Sequence, residues 1–508
     1  MLDTLAHLAG GFAEVLQPVN LMVLALGLVL GLLVAVLPGL TLVMGVVLAL
    51  PFTYKMGLTP AIILLTAMYV SGTYGGAFTA ILFRIPGEPI DVPLLWDGYA
   101  MARRGAPAKA LGWTLFGAFG GGLVSALVLV LLSEPVARVA LTFSAPEFLA
   151  ILLFGMASVV SLGGGSLSSA LISLFLGLMI ATVGIDETYG TERFAFGIPM
   201  LADGIEYLLV MVGAYGLGEV FTRLEQGFRG SSVDTRGSAR IHTELPGLAE
   251  LLATKVTFLR SCAIGILVGI VPGAGATIAS FVSYGAEAQY GKRRKELGSG
   301  IPEGILAPQT AATASVGGAL IPLLTMGIPG SGATAIILAA FLLKGVQPGP
   351  QVFVNSGETV YAIFASLFVA VAGMCLLGYF AIKLLVRVLA FPEAVVSAFV
   401  VMFCFVGAFA ARNNLTDLYV ITAFGVLGYL FERFRFPIAP MVLGAILGPL
   451  AENAFMTTMI SHGNDWTVLF TRPVACVVTL LSIAALVFPL VRQSRESRRA
   501  AAHREGAA

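Results

Sequence analysis

Charge is scarce in this chain. Asp, Glu, Lys and Arg make up 11% of its 508 residues, against roughly 25% in soluble globular proteins, and that deficit excludes an ordinary water-soluble fold. Cysteine is scarce as well. Cys262, Cys375, Cys404 and Cys476 lie far apart inside apolar stretches, which fits neither a zinc knuckle nor a disulfide framework and reads as small buried packing residues. The four histidines, His7, His242, His462 and His503, sit in terminal or loop segments without Cys or acidic residues at ligand spacing, so no metal site is expected. No phosphate-binding loop occurs. Gly120-Gly121-Gly122 and Gly163-Gly164-Gly165 lie among apolar runs rather than between a strand and a helix, so ATP is not expected as the direct energy source. The few charged residues are not grouped into a nucleophile or acid–base set, so neither an enzyme nor a cofactor is expected. A net charge of +1 gives no footing for nucleic acid.

What is there is apolar surface. Hydrophobic residues make up 58% of the chain, and mean hydropathy is +0.94. Apolar runs at Val19 to Leu37, Ala110 to Leu132, Leu167 to Ile185 and Val474 to Val491 are each long enough to cross about 30 Å of hydrocarbon as a helix. The pattern predicts an all-α polytopic membrane protein with about a dozen spans plus broken or re-entrant half-helices. Met1 to Asn20 carries no Lys or Arg and no small-residue cleavage pattern, so its helix is expected to be retained.

One string occurs twice: Gly31-Leu-Leu-Val-Ala-Val-Leu-Pro38-Gly39 and Gly265-Ile-Leu-Val-Gly-Ile-Val-Pro272-Gly273. Downstream, Gly75-Gly76-Ala77 and Ile85-Pro86-Gly87 are echoed by Gly317-Gly318-Ala319 and Ile328-Pro329-Gly330. Helices broken at matching places in two halves point to the binding site of a secondary transporter, because unwound backbone at membrane depth survives where it lines a cavity.

Lys and Arg gather at Arg103-Arg104-Lys109, Arg223 through Lys255, Lys292 to Lys295 and Arg492 to Arg504, and the positive-inside rule makes these cytoplasmic. The second copy then starts inside, whereas the first starts at an end without positive charge. The copies are expected to form an inverted-topology repeat, with the N-terminus outside and the C-terminus inside. The chain divides into residues 1–222 (first membrane half with repeat 1), 223–254 (polar cytoplasmic linker), 255–491 (second half with repeat 2 and C-terminal helices) and 492–508 (basic cytoplasmic tail).

The substrate-binding candidates are the breaks themselves: Pro38, Gly39, Pro86 and Gly87 in the first half, and Pro272, Gly273, Ala274, Gly275, Ala276, Thr277, Pro329, Gly330, Ser331, Gly332 and Thr334 in the second. A half-helix starting after Pro-Gly presents unpaired N–H groups and partial positive charge that suit a carboxylate. Arg84 is a candidate partner for a substrate carboxylate, against an equal reading as a structural Arg. Exposed carbonyls and polar groups near the breaks suit a coupling Na⁺ or H⁺, with Ser71, Thr73, Gln309, Thr313 and Ser315 as cation-binding candidates. Asp97 reads as the cap of an interfacial helix; Glu303 and Glu452-Asn453 are further cavity candidates, with a helix end at the interface as the alternative for the last pair.

Leu37-Pro-Gly-Leu40, Tyr74-Gly-Gly76, Ile85-Pro-Gly87, Asp97-Gly-Tyr99, Val271-Pro-Gly-Ala-Gly-Ala276, Gly317-Gly-Ala-Leu-Ile-Pro322, Gly327-Ile-Pro-Gly330 and Gln347-Pro-Gly-Pro350 occur in the order of the TctA family. The chain resembles that family, the large permease subunit of the tripartite tricarboxylate transporters, through nearly its whole length. The resemblance implies a bacterial inner-membrane permease that works with a small TctB-like membrane subunit and a TctC-like periplasmic solute-binding protein, and imports carboxylates with Na⁺ or H⁺. A homodimer is left open. Where the family has Ala-Pro-Glu-Ser-Ala-Asn-Asn-Ala, this chain reads Ala307-Pro-Gln-Thr-Ala-Ala-Thr-Ala314, and it carries Arg84 and Leu94 where Asn and Thr are common. Those departures touch cation coordination and substrate preference. Alternatives are a stand-alone cation-coupled carboxylate carrier and, from another class, an intramembrane enzyme or a scaffold subunit.

Overall fold

The computed structural model describes residues 2–37, 40–162, 166–186, 190–227, 243–380, 393–412 and 414–487. Pro38 and Gly39, residues 228–242 of the polar linker and the basic tail lie outside the described residues.

Helices dominate, as apolar runs in hydrocarbon require when every backbone group must find its partner within the segment. In chain order they are α1 (Leu2–Val15), α2 (Pro18–Val36), α3 (Leu42–Ala49), α4 (Leu58–Gly75), α5 (Ala77–Phe83), α6 (Leu94–Arg103), α7 (Pro107–Ala140), α8 (Ala145–Leu162) and α9 (Leu167–Ala181). Then come α10 (Tyr207–Gln226), α11 (Lys255–Ile270), α12 (Gly275–Tyr290), α13 (Pro302–Met326), α14 (Gly332–Leu343), α15 (Gly357–Phe380), α16 (Glu393–Arg412), α17 (Asp417–Arg433), α18 (Ile438–Ser461) and α19 (Pro473–Val487), beside a few helices of four to six residues. Proline at the first turn opens α2, α7 and α13, where its missing N–H costs nothing. Among the described residues, six helical segments are long and apolar enough to cross a membrane: α2, α4 with α5, α7, α10, α15 and α18; six shorter apolar helices accompany them. This is an all-α membrane protein. The run read as reaching Ile185 ends its helix at Ala181. Gly184 adopts φ +119°, and Gly184–Ile185 pairs antiparallel with Glu192–Arg193 instead.

The interior sits around α4, whose apolar window is buried on every side. Tyr69, Tyr74, Phe78, Trp113, Phe341 and Phe364 are its largest fully buried side chains. Met22, Phe175, Met179 and Phe399 are exposed, as the outward faces of helices in lipid should be.

The two Pro-Gly copies make matching contacts. A Cβ at Gly31 would strike the Met68 carbonyl and Ser71; one at Gly265 would strike the Ala311 carbonyl and Ala314. Gly75 lies on Ala35 and the Leu32 carbonyl, and Gly318 on Gly269 and the Ile266 carbonyl. Gly75 therefore occupies the place of Gly318, one residue later than the Gly-Gly-Ala strings suggest. The first copy kinks at Gly76, between α4 and α5, whereas α13 runs through Pro308 and Pro322 unbroken.

Among the described residues, the basic stretches around residues 103–109, 244–250 and 292–295 share one face. Lys109 pairs with Glu250, the Glu244 N–H donates to the Ala108 carbonyl at 3.0 Å, and the loop after Arg293–Glu296 packs on Met101 through Gly300.

Candidate substrate and cation site

Both Ile-Pro-Gly breaks are built by one backbone device. Helix α5 ends with Arg84 in the left-handed region (φ +59°), and α13 ends with Gly327 there (φ +72°). One residue on, the Ile85 N–H donates to the Thr79 carbonyl and the Ile328 N–H to the Pro322 carbonyl, both at 3.2 Å. Each bond reaches six positions back, one more than the six-to-one bond of a Schellman cap, and closes the turn around the left-handed residue. Each chain then folds back onto its own first helix. A Cβ at Gly87 would collide with the Ala35 carbonyl oxygen, and one at Gly330 with that of Gly269, so only glycine allows either return.

A side-chain cap follows each glycine, and in the second half it is reciprocal. The Glu88 N–H donates to Asp91 Oδ2 (3.0 Å); the Ser331 N–H donates to Thr334 Oγ1 (2.8 Å), while Ser331 Oγ accepts from the Thr334 N–H (3.3 Å). The positions match, but the chemistry differs: two carboxyls in the first half, two hydroxyls in the second. Glu88 also accepts from the Leu42 N–H at the start of α3, and Ser331 lies 3.5 Å from where a Cβ on Gly275 would be, at the start of α12. Glu88 and Asp91 are 9% and 1% exposed, and neither forms an ion pair among the described residues. Sequence reading missed both; the signal was their place after Ile-Pro-Gly, three residues apart like Ser331 and Thr334.

The breaks of the two halves also meet each other. The Tyr69 hydroxyl of α4 lies 3.0 Å from Ser331 Oγ, and Ser280 Oγ of α12 donates to the Ile90 carbonyl at 2.8 Å. Ile90 packs with Ala276 and Ala312, and Gly332 lies against Val43 of α3. Gln309 Nε2 donates to the Thr73 carbonyl (3.1 Å) and to Thr313 Oγ1 (3.2 Å), joining α13 to α4. Ser71, Thr73 and Ser315 are buried, and their hydroxyls donate to carbonyls of their own helices. Beside Ser331 lies a cavity of about 50 Å³ lined by Gly273, Pro329, Gly332, Val159, Tyr215 and Val442 among others. That volume takes one or two waters and no carboxylate substrate. Tyr215 stands on the π-helical turn Val212–Leu217 inside α10, an irregularity that often marks functional positions. Pro272 and Ala274 are buried, and Thr277 is half-buried in the first turn of α12.

Other candidates fall elsewhere. Arg84 is exposed, its guanidinium 5.6 Å from the centre of the Tyr99 ring. Asp97, expected to cap its own helix, is fully buried and serves the other half. Its Oδ1 accepts from the N–H groups of Gly298 (3.0 Å), Gly300 (2.8 Å) and Ile301 (3.0 Å), and its Oδ2 from the Tyr284 hydroxyl (2.9 Å). Glu303 pairs with Arg293 at 3.5 Å. Glu452 lies within α18 rather than at a helix end and holds Arg193 of the hairpin at 2.5 and 3.1 Å.

Comparison with known proteins gives the family. The sequence matches the family described as "Tripartite tricarboxylate transporter TctA family" over residues 21–443. The chain belongs to the TctA family. The match takes in every break and ends on α18 at the cavity wall. The chain is similar to an "Uncharacterized 52.8 kDa protein in TAR-I ttuC' 3'region" of Agrobacterium vitis, 34% identical over 498 residues and 98% of each chain. It is also similar to an "Uncharacterized protein in TAR-II ttuC' 3'region" of the same organism, 35% identical over 234 residues, 46% of this chain and 97% of the relative. No solved structure matches. TctA membership makes this a transporter component in a membrane.

Proposed function

We propose that the protein is the permease subunit of a binding-protein-dependent, cation-coupled secondary transporter that imports tricarboxylates or related carboxylates across the bacterial inner membrane. The observation that carries this reading is the convergence of the two capped Ile-Pro-Gly breaks, one charged and one neutral. The neutral break supplies Ser331, Thr334 and the first-turn N–H groups of α12 and α14, with Gly273 and Gly330 allowing close approach; partial positive charge at both helix starts favours an anion. Arg84, beside the charged break, is a second contact for the anion at an open face. The charged break and the nearby Ser71, Thr73, Gln309, Thr313 and Ser315 serve the coupling Na⁺ or H⁺. Buried carboxyls without a basic partner are costly in a low-dielectric interior, and a bound cation or proton removes that cost.

The halves are inverted repeats. Their corresponding helices α4 and α13 begin at opposite ends of the molecule, and α13 begins beside the basic clusters, which makes that face cytoplasmic and the N-terminus external. Coupling is required energetically. Importing a trianion against an inside-negative potential costs about 2.3 kcal/mol per charge for each 100 mV, about 7 kcal/mol at 100 mV, so three cations make the step electroneutral. The partners are a small TctB-like membrane subunit and a TctC-like periplasmic binding protein.

The test is uptake of labelled tri- and dicarboxylates by proteoliposomes containing the protein and the small subunit, with and without the binding protein, and with Na⁺ and proton gradients imposed separately. Uptake that needs the binding protein and one gradient is expected. Uptake indifferent to both gradients overturns the coupling, and uptake without the binding protein makes the protein a stand-alone carrier.

A further inference from the structure

Each half reaches across to clasp the other, and the two clasps are at opposite ends of the molecule. Asp97, on α6 just after the first half's break, binds the loop that leads into α13. Gly298 and Gly300 adopt φ +82° and +91°, which turns N–H groups inward to form a nest around the carboxylate. Lys344, directly after α14 and the second half's break, binds the loop that leads into α4. Its Nζ donates to the carbonyls of Tyr54 (2.6 Å) and Met56 (2.7 Å) and stands 5.7 Å from the centre of the Tyr54 ring. Between the clasps run the 26 residues from Leu58 to Phe83, about 39 Å of helix, and Arg84 at their far end stacks on Tyr99, two positions from Asp97.

The clasps are complementary in kind. One is an anion in a ring of N–H donors, the other a cation between C=O acceptors, so each uses backbone polarity that the loop before a helix leaves free. Both are made in this structure, and the cavity at the breaks is too small for a carboxylate. We propose that Asp97 and Lys344 are the two gate latches of the carrier, Asp97 closing the face that bears the basic clusters and Lys344 the opposite face. The inference rests on the reading of the protein as an alternating-access carrier. Opening either face then requires one latch to release while the other holds.

The test is the accessibility of a thiol placed at the breaks. Thr277→Cys, in a background with the four native cysteines replaced, is labelled in oriented proteoliposomes by an impermeant maleimide added to one side at a time. Lys344→Met is expected to speed labelling from the face opposite the basic clusters about tenfold and to slow it from the other, the population change that about 1.4 kcal/mol produces. Asp97→Asn is expected to do the reverse, and Lys344→Arg to restore the parental pattern. Labelling that shifts in the same direction for both variants, rises on both faces together, or stays unchanged overturns the latches. Labelling does not depend on the identity of the substrate. Opposite shifts in a protein that moves no carboxylate would keep the latches and remove the substrate assignment.

Discussion

The two Ile-Pro-Gly breaks share a backbone and differ in charge. Arg84, Glu88 and Asp91 stand where the second half has Gly327, Ser331 and Thr334, yet the backbone bond around the left-handed residue, the glycine return and the side-chain acceptor for the next N–H are made in both. A hydroxyl suffices to cap the turn in the second half, whereas in the first half Asp91 caps the turn and Glu88 also accepts from the Leu42 N–H of α3. A carboxyl buried without a basic partner is more costly than a hydroxyl at the same place, and this is why we propose the coupling cation for the first half and the substrate for the second.

The shared backbone can be broken first. Gly87→Val and Gly330→Val each drive a side chain into a carbonyl of the neighbouring helix, at a cost on the order of 3 kcal/mol. Thermal unfolding in detergent should fall by similar amounts for both, and a variant that unfolds like the parent would end the equivalence of the two returns. The chemical difference is next. Glu88→Gln should abolish the response of uptake to the driving cation gradient while leaving the fold intact. Ser331→Ala, which removes one cap and the Tyr69 contact, should weaken substrate about fivefold, as loss of one hydrogen bond of about 1 kcal/mol implies, and leave the gradient response in place. Interchanged outcomes would reverse the assignment of the halves.

A smaller effect separates the helix ends. Gly327→Ala adds a Cβ at φ +72°, 2.7 Å from the Pro348 carbonyl, and should cost about 1–2 kcal/mol. Arg84→Gly relieves the same backbone conformation but loses the Tyr99 contact, so stability should change by less than about 0.5 kcal/mol. The smallest effect is at the polar face. The Lys109 ammonium, followed by the Gly247 N–H, holds the Glu250 carboxyl below its ordinary range. The contribution of this pair is complete above the ordinary carboxylate range and is lost as pH falls through the lowered value. Lys109→Met should flatten that acid limb and cost less than about 1 kcal/mol at neutral pH, since both side chains are over a third exposed or nearly so. An unchanged acid limb in thermal melts would remove the pair from the account.

The amino-acid sequence by itself determined the helical membrane class and the helix ends at Ile85-Pro-Gly87 and Ile328-Pro-Gly330, because scarce charge, apolar run length and Pro-Gly are local properties that hydrocarbon punishes or permits residue by residue. It did not reveal Glu88 and Asp91 as a buried pair, the one-residue shift that sets Gly75 opposite Gly318, or the service of Asp97 and Lys344 to loops about 200 and 290 positions away. Those were decided by tertiary structure. A carboxylate three residues from another reads alike on a surface and in a core, and only the packing of α3, α4, α12 and α13 fixes which groups lose water and which backbone N–H or C=O they meet instead.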